Sequence, residues 1–317
     1  MRLIGVTGAT GFVGNELTRQ LASSGQTVRR LLRSQPAQAL PEDRVIADFS
    51  DRNAWGGALE GVGSIVHLAA RTHVLRDQDP DPLGAYRRIN VDATVALARA
   101  AAAAGVRRFV FLSSIKVNGE ASGVSPFTDC SPTCPEDAYG ITKLEAEAAL
   151  CEVSDQTGME IIILRPPLVY GPGVKGNFLR LMHWVRRGIP LPLSSVENRR
   201  SLIYVGNLAS AIIAGLDAEK LRRRSYLVGD NEALSTAGLV RRLAALMNAR
   251  PRLFPFPLGP LAAVAAVAGK VAEFRRLTGT LQINNRGFCG DFEWQPPNTL
   301  DEGLLQTVRW YDRQNQK

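Results

Sequence analysis

The feature that most constrains this chain is residues 3–14, LIGVTGATGFVG. A short apolar run, Leu3-Ile4-Gly5-Val6, reads as a buried strand. It leads into Gly8, Gly11 and Gly14, and then into a helical pattern carrying Leu17, Leu21 and Ala22. A strand, a glycine turn and a helix start together form a cradle in which backbone N–H groups and the helix dipole favour an anion. Gly8 fits the tight turn, Gly11 a close approach of backbone to a pyrophosphate, and Gly14 the packing of helix on strand. The spacing is G-x-x-G-x-x-G, and a plain glycine-rich turn is the alternative to a dinucleotide site.

The first half then alternates strand and helix. Apolar runs at 27–32, 44–48, 64–68, 108–113 and 160–164 read as further strands, and residues 54–59, 83–104 and 138–152 as helices. Such repeats predict an α/β fold, a Rossmann-type doubly wound parallel sheet that binds ligands beyond its strands' carboxyl ends. After Pro166-Pro167 the texture changes, with helices expected at 177–187, 207–216 and 236–247 and short strands at 202–205 and 225–228. The division expected is 1–166 and 201–222 for the dinucleotide-binding domain, and 167–200 and 223–317 for a smaller, interleaved α/β substrate domain.

Composition narrows the function. Met1-Arg2 runs directly into the first strand, with no leader pattern, and the four cysteines lack a metal-binding or disulfide spacing. A cytoplasmic protein with no metal is expected. The net charge is +8, but the arginines come in scattered pairs without interleaved aromatics, so no nucleic-acid partner is expected. Residues 258–269, LGPLAAVAAVAG, are too short to span a bilayer. A buried helix, or a lid over the substrate, is expected there rather than a membrane contact.

The second strand selects the nucleotide. A carboxylate at its end would hold a ribose 2′-hydroxyl, whereas an arginine would pair with a 2′-phosphate. No acidic residue lies between Glu16 and Glu42, and the strand ends in Arg33. Arg33 therefore favours NADP(H), with NAD(H) still possible if Arg33 only faces solvent. Asp48 and Phe49 end the third strand, where they either bracket the adenine or cap a helix or loop.

Tyr139 and Lys143 lie at i and i+4 on one helical face. A nearby ammonium favours the phenolate, which suits a tyrosine to exchange a proton with a sugar hydroxyl or ketone. Ser114 ends the fifth strand, where its hydroxyl would meet the same substrate oxygen.

With these residues the chain resembles the extended short-chain dehydrogenases/reductases, in their nucleotide-sugar epimerase/dehydratase group. The marks run almost end to end: Thr7-Gly8 through Gly14, His67-Leu68-Ala69-Ala70, Asn90 with Thr94, Ser113-Ser114, Tyr139 with Lys143, residues 165–172, Trp294-Gln295-Pro296, residues 300–304 and Trp310-Tyr311. The resemblance implies Ser114, Tyr139 and Lys143 as catalytic residues, with Lys143 also on the nicotinamide ribose. It implies cofactor contacts from Gly8, Thr10, Gly11, Phe12, Val13, Leu68, Ala69, Ala70, Tyr139, Lys143 and Pro166. It implies a UDP-sugar substrate contacted by Ser114, Lys116, Asn177 and Arg200, and a homodimer. Departures at Asn118, Ser201 and Asn284 bear on substrate identity more than on chemistry.

Three reactions fit such a site. Residues 113–116 lack the carboxylate pair of a 4,6-dehydratase. A 4-epimerase would keep NAD bound and return the hydride. A reductase would use NADPH once, and Arg33 tilts the reading towards it. Residues 113–120, with Arg71-Thr72-His73-Val74, are similar to a bacterial surface-polysaccharide branch containing 4-ketoreductases that form UDP-N-acetylquinovosamine. A non-catalytic NADPH-binding regulator is the alternative of another class, and the retained Tyr139 and Lys143 argue against it.

Overall fold

A computed structural model describes residues 3–72 and 79–315. His73 and Val74 of the resemblance lie outside the described residues. Seven parallel strands form the main sheet: β1 Leu3–Thr7, β2 Thr27–Leu32, β3 Arg44–Val45, β4 Val62–His67, β5 Arg108–Leu112, β6 Glu160–Arg165 and β9 Ser225–Leu227, in the order β3-β2-β1-β4-β5-β6-β9. The order reverses between β1 and β4, and in such sheets ligands bind at that point, beyond the carboxyl ends of the strands.

Each face of this sheet has its own core, as expected for parallel strands covered on both sides. Ile65, Phe109, Phe111, Ile161 and Ile163 point to one face, with Leu97 of α3 (Ala93–Ala103) and Leu150 of α4 (Ala138–Thr157). Ile4, Val66, Val110, Ile162 and Leu164 point to the other, with Leu17 of α1 (Phe12–Ser23) and Leu208 and Ile212 of α6 (Val205–Asp217). This alternation of side chains along each strand divides the continuous apolar runs between two helical layers.

The expected helix at 83–104 is broken into α2 (Pro82–Arg87), a π-helical turn at Arg88–Asp92, and α3; Gly105 ends it with φ +77°. The strand expected at 44–48 keeps two residues, because the Asp48 carboxylate instead accepts from the Ser50 N–H and hydroxyl. The helix expected at 54–59 is a single 3-10 turn, Arg52–Trp55, followed by Gly56 and Gly57.

A second, three-stranded sheet has the order β10-β8-β7, from β7 Leu168–Tyr170, β8 Arg200–Tyr204 and β10 Ala233–Leu234. Its core is filled by α5 (Gly176–Arg186), α7 (Thr236–Leu246) and α11 (Leu300–Asn315). Both edges of the expected division therefore shift. β8, placed with the first domain, pairs into the smaller sheet, and β9, placed with the second, completes the larger one. The tail also crosses back: Phe288 of α10 (Arg286–Asp291) and Trp294 are buried in the large sheet's core.

The apolar segment corrects another expectation. It forms α8 (Leu258–Val267), followed by α9 (Val271–Thr278), and neither helix buries a residue. α8 is not a core helix: Val264 is 64% and Val267 93% exposed.

Candidate active site

The glycine turn is held by contacts that exclude a side chain. Gly8 has φ +66°, and a Cβ there would come 2.8 Å from the Ala69 nitrogen. A Cβ on Gly14 would lie 2.1 Å from the Gly8 carbonyl oxygen. The Gly11 N–H donates to that carbonyl at 2.9 Å, and Gly11 caps α1 without a side-chain bond. The opening N–H groups of α1 thus remain available to an anion. Thr10 is exposed on the turn, whereas the Phe12 and Val13 side chains pack towards the smaller sheet's core, so contacts from these two positions to a ligand would be through backbone. The cradle fits a dinucleotide pyrophosphate.

A buried relay fixes the facing strand end. The Thr94 hydroxyl donates to the Asn90 carbonyl at 2.8 Å, leaving its oxygen to accept from His67 Nε2 at 2.9 Å. His67 Nδ1 then accepts from the Thr7 hydroxyl at 2.6 Å, and Thr7 Oγ1 in turn accepts from the Leu68 and Ala69 N–H groups. Burial, with the nearby Lys143 charge, lowers the His67 pKa to about 3, so the ring stays neutral. Asn90, in the π-helical turn, grips Arg71 through its N–H and carbonyl and donates to Thr142 of α4 at 3.1 Å. The backbone of Leu68, Ala69 and Ala70 is set by this network.

At the nucleoside end, Arg29 and Arg30 are paired with Glu42 and Asp43. Arg33 is exposed at the end of β2 and has no carboxylate partner among the described residues. Phe49 is buried with its ring centroid 4.9 Å from that of Trp55, so its ring belongs to the core and not to an adenine site. Asp48 is exposed beside it, with a pKa lowered by its bonds to Ser50.

Tyr139 and Lys143 are placed by the seat of α4, while Ser114 caps the turn Ile115–Val117 by accepting from the Lys116 N–H at 3.3 Å. Asp137 caps that helix by accepting from the Gly140 N–H at 2.8 Å. Gly140 sits so near the turn after Ser114 that a Cβ would come 2.9 Å from the Lys116 carbonyl oxygen. Lys143, 1% exposed, donates to the Leu112 carbonyl at 2.8 Å; its Nζ stands 4.2 Å from the Phe111 ring centroid and 5.9 Å from that of Tyr139. Burial pulls the Lys143 pKa down to about 7, against a smaller opposing effect of Glu147. The Tyr139 pKa is raised, by burial first and then by Asp137 and Tyr86. Without a ligand the Tyr139 hydroxyl is thus favoured in its neutral form, the reverse of the expected phenolate.

Of the positions the resemblance assigns to the substrate, Lys116 and Arg200 both lie near Glu120. Lys116 is paired with Glu120 at 2.6 Å and Asp137 at 2.5 Å. Asn177 is exposed within the first turn of α5 and accepts from Arg180; it does not cap the helix, since Lys175 holds that position. Arg200 donates to the Gly279 carbonyl at 3.0 Å and has a pKa lowered by burial, with Glu120 opposing and Arg276 adding to the fall. Arg276, which sequence reading passed over, lies 3.6 Å from Glu120 and has its buried Nε without a hydrogen-bond partner. Its only signal in the sequence was an arginine pair after the apolar segment. Pro166 is buried, its carbonyl accepting from Ile115.

A parallel sheet with its glycine cradle at the strand-order reversal, and Lys143 of α4 bonded to the end of β5 with the Tyr139 ring beside it, is the arrangement of a Rossmann-fold oxidoreductase. Residues 4–229 match the NAD dependent epimerase/dehydratase family, and the chain belongs to it. It is 39% identical to a UDP-glucose 4-epimerase of Vibrio cholerae over 98% of this chain and 96% of that one. Among solved structures it is similar to a Thermotoga maritima UDP-glucose 4-epimerase with UDP-glucose (TM-score 0.79, 20% identity, 99% of each chain). It is also similar to MoeE5 in complex with UDP-glucuronic acid and NAD (TM-score 0.77, 26% identity, 98% of this chain and 99% of that one).

Proposed function

We propose that this chain is a cytoplasmic, homodimeric, NADP(H)-dependent 4-ketoreductase. Its substrate is a UDP-4-keto-6-deoxy-N-acetylhexosamine, and its product UDP-N-acetylquinovosamine or the C4 epimer, for surface polysaccharide. The observation that carries the reading is Arg33, exposed at the end of β2 with no carboxylate partner among the described residues, where a 2′-phosphate would find a charge-assisted partner. Gly8, Thr10, Gly11, Phe12 and Val13 would hold the pyrophosphate. Asp48 and the backbone of Phe49 would flank the adenine, and Leu68, Ala69, Ala70 and Pro166 would line the path to Lys143.

When bound, the nicotinamide supplies the hydride for C4. The chain's own residues manage the oxygen. The Ser114 hydroxyl orients it, and Tyr139 donates its phenolic proton to the developing alkoxide. A raised Tyr139 pKa suits that direction, because the phenol is protonated at neutral pH. Lys143 holds the ribose and positions Tyr139. Arg200 and Arg276, both beside Glu120, would take the diphosphate, and Asn177 the start of that contact on α5.

A second reading, a UDP-sugar 4-epimerase, is favoured by the Vibrio cholerae relative. One experiment separates them. Purified protein is incubated with NADPH and a panel of UDP-4-keto sugars, following absorbance and product by NMR, and in parallel with UDP-glucose and no added cofactor. Consumption of NADPH with formation of a 4-hydroxy sugar is expected. Interconversion of UDP-sugars by protein carrying tightly held NAD would overturn the reductase in favour of the epimerase.

A further inference from the structure

We infer that α8 and α9 form a docking surface for an anionic lipid bilayer. α8, LGPLAAVAAV, has no polar side chain on any face, and a helix apolar all round is ordinarily enclosed. Here it is not. Six of the eleven large exposed hydrophobic residues among the described residues fall in one stretch: Phe254, Phe256, Leu258, Val264, Val267 and Val271. Phe254 and Phe256 stand at its start with ring centroids 6.4 Å apart.

Charge selects the occupant. Residues 250–276 contain five basic residues and one acid, Glu273. Arg250, Arg252, Lys270 and Arg275 are exposed, and they flank the apolar helix on both sides. An apolar surface between exposed cations matches a leaflet with anionic headgroups, since each basic side chain near such a surface adds attraction and the apolar residues enter the acyl boundary. It matches a second copy of this chain poorly, because pairing would bring these cations together.

The helix rests on the bilayer without crossing it. Ten residues rise about 15 Å, roughly half of a hydrocarbon core. Gly269, at φ +65°, turns the chain between α8 and α9. No described helix is long and apolar enough to cross a membrane. Arg276 of α9 lies beside Glu120, so the docked surface adjoins the substrate side of the site.

The test is vesicle co-sedimentation of the whole protein, which needs no turnover and so fails or succeeds separately from the proposed reaction. Vesicles of phosphatidylcholine are compared with vesicles also containing phosphatidylglycerol. Binding to the anionic vesicles should exceed binding to the neutral ones by roughly tenfold or more, and should fall as salt rises from about 0.05 to about 0.5 M. The pair Val264→Asp and Val267→Asp, at sites exposed enough to leave folding intact by circular dichroism, should lower vesicle affinity by roughly tenfold. Absence of binding to either vesicle overturns the inference, as does binding unchanged by the paired substitution. Sedimentation velocity supplies a third overturning outcome: self-association lost in the Val264/Val267 variant, without vesicle binding, would assign the surface to a second copy.

Discussion

Lys143 gives a prediction in which the sign and the size both follow from burial. It is 1% exposed, and its pKa falls from 10.5 to about 7 in the folded chain without cofactor. Between those values the unfolded chain binds a proton that the folded chain does not. Stability must therefore rise with pH across that window. Below about pH 7 both states are protonated, and the full cost of a buried ammonium is present. Lys143→Met removes this titration. From pH 6 to pH 9.5 wild type should gain about 3.5 kcal/mol relative to the variant, from 2.5 pH units above the folded value at about 1.4 kcal/mol each. The absolute offset between the two proteins is not informative, because methionine also loses the bond to the Leu112 carbonyl. The double difference is. Chemical denaturation of cofactor-free wild type and variant at pH 6, 7.5 and 9.5 measures it. Parallel pH profiles would refute the argument, and a gap moving in the variant's favour with rising pH would reverse its sign.

Other outcomes follow from the same geometry. Tyr139→Phe should lower kcat by roughly a thousandfold or more with the dissociation constant for NADPH, read by fluorescence, little changed; substantial residual turnover would remove Tyr139 from the proton transfer. Arg33→Ser should raise KM for NADPH by about tenfold or more while leaving KM for NADH nearly unchanged; equal effects on both would mean that Arg33 reads no 2′-phosphate. Glu147→Gln leaves the Arg165 guanidinium buried without its carboxylate and should cost about 3 kcal/mol, read as a shift in denaturation midpoint. A variant as stable as wild type would show that the pair does not brace the site.

Local patterning carried much of the fold. The G-x-x-G-x-x-G turn, the parallel strands and the Tyr139/Lys143 face were legible because each depends on neighbours within a few residues. What was misread depends on distant parts of the chain. β8 and β9 are both short apolar runs, and nothing in a run of five or three residues says which sheet it joins. Phe49 follows a strand end, as an adenine-facing residue would, but Trp55 takes its ring into the core. The apolar segment 258–267 has the composition of a buried helix, and composition does not say whether anything covers it. The Tyr139 ionisation was reversed because spacing places an ammonium nearby without showing how much water both groups have lost.

The departure at Asn118 is part of a buried frame that explains how a short turn can hold Ser114 in place. The Ser113 hydroxyl donates to Glu147, and Arg165 donates to both Glu147 oxygens at 2.5–3.2 Å. Arg165 also reaches Asn118 Oδ1 at 3.3 Å, while Asn118 Nδ2 donates to the carbonyls of Ser131 and Pro132. Every one of these four side chains is buried. A buried ion pair is weak evidence for stability, since desolvation offsets its attraction. Its worth here is directional. Glu147 lies one helical turn beyond Lys143, Ser113 precedes Ser114, and Arg165 ends the neighbouring strand. The frame therefore locks the rotation of α4 about its axis against the end of β5. An apolar substitute of equal volume would fill the space but would let the helix turn. With the frame intact, Lys143 is held at the end of β5, donating to the Leu112 carbonyl, before any ligand arrives, so the proposed site would need little ordering on binding.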